Sequence, residues 1–424
     1  MRVRNAIILI GIILVGLGLF LFIGKSNRIV IGVAEDAGID KQVAKVALAQ
    51  TVPPAPSDIE PQSSLPNPPD KIKAIYATSW SAGSEKKLEY LIKLIKDTEL
   101  NAIVIDVKDY SGYVTYNTDL ELVKKYNAVD LRIPQMNKLI KRLHDEGIYV
   151  IGRIAVFQDQ RLALARPDLA IYSSSTGETW KDNKGLMWMD TASPEVWDYN
   201  IAIAKEILSR GFDEANFDYV RFASDGKLDD IKFPVWDEKT LKTHIVRDFF
   251  SRIRQEIPDG KISGDLFGLV TVNKDGLGIG QSLTYAIPYF DAIAPMTYPS
   301  HYFPGFIGYQ NPADYPYEVV KYSMDSAVKQ IEDFKVYAST TPMNAKIRPW
   351  IQDFNLGATY DATKVRAQIR AFDDALAGHP ELNGGWMLWN PSNIYTKDAL
   401  EPEGGVLPVE APSPAPVPVA APQS

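Results

Sequence analysis

Between Lys71 and Leu400 the chain switches repeatedly between two hydrophobic periods. Short, largely apolar runs that read as strands begin at Ile72 (IKAIYAT), Ala102 (AIVIDVK), Ile148 (IYVIGRIAV), Glu214 (EANFDYV), Lys261 (KISGDLF), Ala292 (AIAPMTY), Lys346 (KIRPWIQ) and Gly385 (GWMLWN). Between most of them apolar residues recur at helical spacing. Leu88, Leu91, Ile92 and Ile95 share one face, as do Met136, Leu139, Ile140 and Leu143, with Gly147 as a helix stop. Eight strands alternating with helices over roughly 330 residues predict an α/β fold, a (β/α)8 barrel. The competing architecture, a doubly wound open sheet, lacks its fingerprint: no GxGxxG follows a strand, and GLGIG at Gly276–Gly280 has the wrong spacing.

The two ends read differently. Residues 1–28 carry Arg2 and Arg4, an uncharged apolar run from Ala6 to Gly24, and then Lys25 and Arg28. That run is long enough for one membrane span and longer than an ordinary signal-peptide core. An uncleaved transmembrane signal-anchor is expected, with the bulk of the chain exported and held at the bacterial cell surface or envelope. Residues 29–70, including TVPPAPSDIEPQSSLPNPPD, and residues 401–424, including APSPAPVPVAAP, are rich in Pro with Ser or Ala. They are expected to be disordered, flanking a folded domain over residues 71–400.

One strand does not fit its surroundings. GFDEANFDYVRF (Gly211–Phe222) has the apolar content of a buried strand, yet holds Asp213, Glu214, Asp218 and Arg221. Alternation puts Glu214, Asn216 and Asp218 on one side and Ala215, Phe217 and Tyr219 on the other. The aromatic side suits the helix layer, so the polar side points into the barrel with Asp218 near the carboxyl end. In the next strand Ser263 and Asp265 share a side, and in the second strand Asp106 and Lys108 do. Carboxylates from several strands thus reach the face where barrel enzymes hold their sites. Two carboxylates flanking one bond can hydrolyse a glycoside, one as acid and the other as nucleophile or base. Asp218 and Asp265 are the candidate catalytic pair. Asp213 precedes the strand and Glu214 begins it, so both are candidates for the stability face, with Glu214 held as the reserve catalytic carboxylate. Candidate substrate-binding residues are Tyr76, Asp106, Lys108, Asn216, Arg221, Tyr298, His301, Trp350, Gln352, Trp389 and Asn390, all at or near strand ends. A purely structural alternative is a buried salt-bridge network of Asp106, Lys108, Asp218 and Arg221. Long intervals after the third, fourth and sixth strands carry Trp180, Trp188, Trp236, Tyr302, Phe303, Phe306 and Tyr309, which either stack on sugar rings or pack the loops down.

Composition removes several other chemistries. The net charge is −8, which argues against nucleic acid, and the absence of cysteine removes disulfides, thiolate metal sites and cysteine nucleophiles. The four histidines, at 144, 244, 301 and 379, form no HxxxH or HExxH pair, and no GxSxG elbow occurs. No metal and no cofactor is expected.

The segments KAIYATSWSAGS, LNAIVIDVKDYSGYVTY, GFDEANFDYVRFASDG, SGDLFG, APMTYPSHY, NPADYPYEVV, IRPWIQDF and GGWMLWNPSNIYT resemble a bacterial family of glycoside-hydrolase-like domains long catalogued only as a domain of unknown function. The resemblance covers about Lys73 to Leu400. It implies a glycosidase-type barrel acting on an extracellular or cell-wall polysaccharide, and it supplies no proven substrate. By analogy with barrel glycosidases, it implies a nucleophile at Asp218 and an acid/base at Asp265. The family commonly has Phe-Pro after the arginine; here Phe222-Ala223 follows Arg221, so a local loop change is expected. Two alternatives remain: a non-catalytic carbohydrate-binding scaffold barrel of the envelope, and another carbohydrate-active enzyme such as a lyase or transglycosylase.

Overall fold

A computed structural model describes residues 57–338, 343 and 345–403. Eight parallel strands close on themselves: β1 (Ile72–Ala77), β2 (Ala102–Lys108), β3 (Tyr149–Ala155), β4 (Glu214–Asp218), β5 (Ile262–Phe267), β6 (Ala292–Met296), β7 and β8 (Gly385–Trp389). Strand β7 comes in two pieces, Lys346–Ile347 and Trp350–Gln352, divided at Arg348-Pro349. Proline has no N–H to give to a ladder, so the interruption falls where the chain must lose pairing. Both pieces pair with β6, and the second also pairs with β8, which pairs in turn with β1. The barrel is therefore closed, as the alternation predicted.

Helices α1 (Glu85–Lys96), α2 (Met136–Asp145), α3 (Pro194–Ser209), α4 (Lys242–Glu256), α5 (Leu283–Ala286), α6 (Pro316–Tyr337) and α7 (Ala362–Leu376) follow β1 to β7 in turn. After β8, among the described residues, a 3-10 turn, Lys397–Ala399, takes the place of a helix. Leu88, Leu91, Ile92 and Ile95 of α1 are buried as their spacing required, and Gly147 past α2 adopts φ +75°. That left-handed conformation costs glycine least, and it ends the helix there.

The barrel has two distinct surfaces. Outward residues such as Phe217 meet the helix layer, where Phe217 packs edge-on against Phe249 of α4 at 6.3 Å. Inward residues stack in levels: Ile72, Ala102 and Tyr149 below, Ala74, Val104, Ile151 and Met387 in the middle, and Tyr76 and Trp350 above. Polar side chains interrupt this apolar filling. Low in the barrel, Glu214 is ion-paired with Arg348 and accepts a hydrogen bond from Ser263. Asp213 closes the bottom, accepting from the backbone N–H of Val150 at 2.7 Å and of Leu65 at 2.6 Å, with His144 Nε2 at 3.0 Å.

Part of the stretch expected to be a loose tether is fastened to this floor. Asp58 accepts from Asn137 N (2.8 Å) and Lys138 N (3.1 Å), the free N–H groups at the start of α2. It serves as the cap that Gln135, in the N-cap position without a capping bond, does not provide. The expected membrane anchor lies outside the described residues. Among the described residues no helix is long and apolar enough to cross a membrane.

Glu214, the reserve candidate, does not line the cavity: Arg348 and Ser263 hold Oε1, and the Tyr149 hydroxyl donates to Oε2 at 3.3 Å. Glu214→Gln is expected to lower stability by about 3 kcal/mol, because Arg348 loses its buried counter-charge. Turnover should fall by less than about tenfold, well short of the loss of a true acid or base. Denaturant unfolding and steady-state kinetics on one preparation check both halves.

Candidate active site

The carboxyl ends of β3 to β8 surround a cavity of about 470 Å³ lined by Arg153, Lys184, Asp218, Tyr219, Arg221, Asp265, Phe267, Tyr298, His301, Tyr302, Trp350 and Trp389, among others. At its centre is Arg153, an arginine in the middle of the apolar run of β3. Its guanidinium donates to Asp106 Oδ1 at 2.6 Å through Nη1 and to Asp218 Oδ2 through both Nη2 and Nε, the latter at 3.1 Å. Asp265 Oδ2 lies 3.8 Å from the same Nε. Asp218 and Asp265 oxygens that share one nitrogen at those distances stand no more than about 7 Å apart, within reach of a single glycosidic bond.

The two carboxylates differ in their surroundings. Asp218 is held by the Arg153 cation, and its Oδ1 accepts from the Tyr219 N–H at 2.5 Å. Tyr219 has φ +54°, an unusual conformation for a bulky residue, and it directs that N–H back at the carboxylate. Asp265 is fully buried. Its Oδ1 accepts from Asn216 Nδ2 and from Trp350 Nε1, each at 2.9 Å, while Oδ2 has no hydrogen-bond partner. Burial first, and the charge of Asp218 second, push its pKa up to about 8. Asp265 therefore holds its proton up to near neutral pH, a consequence of its burial beside a second carboxylate.

The remaining sequence candidates divide into three groups. Tyr298, His301, Trp350, Trp389 and Arg221 line the cavity with Asp218 and Asp265. Tyr76, Asp106 and Asn216 stand behind that wall. Tyr76 donates to Asp106 Oδ2 at 2.5 Å and stacks on Trp389 at 4.0 Å, and Asn216 orients Asp265. Lys108, Gln352 and Asn390 are elsewhere. The β2–β3 register shifts between Asp106 and Lys108, so alternation fails there. The Lys108 ammonium turns away to Asp159, at 2.8 Å, and to the Ala155 carbonyl. Gln352 is spent on the Ser300 N–H (3.2 Å) and the Phe354 carbonyl (2.9 Å), and Asn390 on the Asp353 carbonyl and the Ser392 N–H (2.8 Å). None of these three lines the cavity.

The anticipated salt-bridge network therefore has different members: Arg153, not Lys108 or Arg221, joins Asp106 to Asp218. Most loop aromatics pack downward. Trp180, Trp188 and Phe306 are buried, and Trp236 meets Phe222 and Phe233. Among the described residues no cluster of three or more His, Asp or Glu could hold a metal ion.

Arg153 escaped notice in the sequence. The available signal was its parity with Tyr149 and Ile151, which makes it the one charge facing inward from β3. Arg153→Met should cost about 3–5 kcal/mol, because it strands Asp106 and Asp218 without a counter-charge. Chemical denaturation measures this directly.

Comparison with known proteins agrees with the geometry. Among curated protein sequences, none matches this one. A glycoside hydrolase domain of PgaB (BpsB) from Bordetella bronchiseptica superposes with a TM-score of 0.52 at 14% identity, covering 78% of this chain and 99% of that one. This likeness concerns the fold. A hypothetical protein from Ruminiclostridium thermocellum ATCC 27405 is 36% identical over 45% of this chain and 96% of its own, with a TM-score of 0.42. Residues 74–395 match the family described as "Putative glycosyl hydrolase domain", and the chain belongs to that family.

Proposed function

We propose that this barrel hydrolyses O-glycosidic bonds of an extracellular or cell-wall polysaccharide with Asp265 as the acid and Asp218 as the nucleophile or base opposite it. The observation that carries the reading is the unequal pair over one arginine: Asp265 with a free, buried Oδ2, and Asp218 paired to Arg153. Asp265 presents a proton to the leaving oxygen. Asp218 attacks the anomeric carbon or activates water, and Arg153 holds it in place by an ion pair. Trp350 Nε1 and Asn216 Nδ2 fix the plane of the acid, so the proton is delivered from one direction. Asp265 then takes a proton from water in the second half of the reaction, or is reprotonated by solvent if the displacement is single.

A closed scaffold would tie up both carboxylates and leave no cleft. The open cavity and the unpartnered Oδ2 favour catalysis over that reading. From its sequence, the apolar run Ala6–Gly24 supports an envelope-anchored protein with the barrel outside the cytoplasm. Incubating the protein with polysaccharides and purified cell-wall material, and following new reducing ends, tests the proposal. Release of saturated oligosaccharides is the expected result. An unsaturated product absorbing in the ultraviolet would instead identify a lyase. The anomer formed first, read by NMR, decides whether Asp218 attacks directly or through water.

A further inference from the structure

The wall of the cavity is more cationic than the protein around it. Three cations, Arg153, Lys184 and Arg221, line it against two carboxylates, one of which is kept protonated, in a chain whose net charge is −8. Arg153 is paired with Asp106 and Asp218, whereas Arg221 has no counter-charge among the described residues. It is buried, with 7% of its surface exposed, and no carboxylate lies within ion-pair distance of it among the described residues. Its guanidinium is clamped between the rings of Trp188, at 4.6 Å, and Phe267, at 4.7 Å. Only Nη1 is engaged, with the Phe222 carbonyl (3.1 Å) and Ser224 Oγ (2.9 Å). Nε and Nη2 have no hydrogen-bond partner among the described residues, and the side chain lines the cavity.

Burying a guanidinium without a counter-ion is costly, and the ring clamp offsets only part of that cost. A planar fork held rigidly with two donors free is the arrangement that receives a carboxylate bidentately. Lys184, on the loop after β3, also lines the cavity and has no ion pair among the described residues. One carboxylate braces the Lys184 backbone and the ring that stacks on Arg221. Asp182 Oδ1 accepts from the Lys184 N–H at 2.9 Å, and its Oδ2 accepts from Trp188 Nε1 at 3.1 Å. Arg221 is thus held in place before any ligand arrives, while Lys184 stands exposed beside it.

The geometry points to a substrate whose sugar carries a carboxylate, seated on Arg221 and Lys184 next to the bond cleaved at Asp218. This deepens the glycosidase reading and rests on it for the position of the bond. Arg221 follows Asp218 by three residues on the same segment, so the acid group belongs to the sugar at or beside the scissile linkage. Such a carboxylate is found in hexuronic acids and in lactyl-ether amino sugars, and binding separates the two.

The test uses Asp218→Asn, which binds without turnover, and calorimetry with three probes: a hexuronate oligosaccharide, the same oligosaccharide reduced to the neutral hexose, and a peptidoglycan glycan strand bearing lactyl groups. At least one carboxylated probe is expected to bind about tenfold or more tighter than the neutral one, from charge-assisted bonding. Adding Arg221→Gln should remove that preference. Lys184 sits on an exposed turn, so Lys184→Gln folds and should reduce the preference by itself. Equal affinity for carboxylated and neutral probes, or a preference that survives Arg221→Gln, overturns the inference. A carboxylate preference in a protein that cleaves none of these glycans would leave this site standing and sink the catalytic reading. Cleavage with no such preference would do the reverse.

Discussion

Asp218→Asn is expected to lower kcat/KM by on the order of a thousandfold or more, the scale of losing a group that acts at the reacting centre. Two features produce this loss together. Asparagine can neither attack the anomeric carbon nor take a proton from water, and it presents no charge to stabilise a cationic sugar ring. The fold should survive. Arg153 keeps Asp106 at 2.6 Å, and the side-chain carbonyl of the new amide can still accept from Arg153. Kinetics on a cleaved glycan, with thermal melting as the control, measure the effect. Residual turnover within tenfold of the parent would remove Asp218 from the mechanism.

Asp265→Asn should show opposite effects on activity and stability. Activity on substrates with a poor leaving group should fall by about 10² to 10⁴, while an activated aryl glycoside, which needs little protonation, should lose much less. In the parent, activity should decline as pH rises through about 8, where Asp265 releases its proton. In the variant that limb should be absent. Stability goes the other way. The folded-state pKa of Asp265 is raised above the unfolded value, so below the unfolded value both states are protonated and nothing is lost. As pH rises toward 8 the unfolded chain ionises while the folded one holds its proton, and stability drains away across that window. Asparagine never ionises. The variant should match the parent near pH 4 and exceed it by on the order of 5 kcal/mol at pH 8. Urea unfolding at the two pH values reads the difference. Equal stability at both would mean that Asp265 is ionised in the native state.

Much of this site was legible in the chain. The inward face of β4 follows from alternation alone: Glu214, Asn216 and Asp218 on one side, Phe217 on the other. The same rule gave Asp265 on β5 and Asp106 on β2. It failed at Lys108 because a one-residue register shift reverses which side a residue faces, and nothing in AIVIDVK announces such a shift. Gln352 and Asn390 show a different limit. Both stand at carboxyl ends of strands, yet backbone groups in the adjoining loops claim their amides. Loop backbone conformation is set by tertiary contacts, so end-of-strand position marks a candidate and not a role. Arg153 was hidden by its neighbours. In IYVIGRIAV the hydrophobic run dominates the pattern, although a charge inside a strand covered on both faces is the anomaly that most needs a partner. Most of the tryptophans and the other loop aromatics were divided by packing that no linear pattern records.

The mechanism depends on a proton that Asp265 holds at neutral pH, with Asp218 beside it paired to Arg153. Carbon-13 NMR of the aspartate side-chain carboxyls, comparing the unliganded parent with Asp265→Asn across pH, observes this without any substrate. The result expected is one resonance, missing in the variant, that has the shift of a neutral carboxyl at pH 6 and titrates near pH 8. A resonance assigned to Asp265 that is already ionised at pH 6 would contradict the assignment of acid and partner on which the mechanism stands.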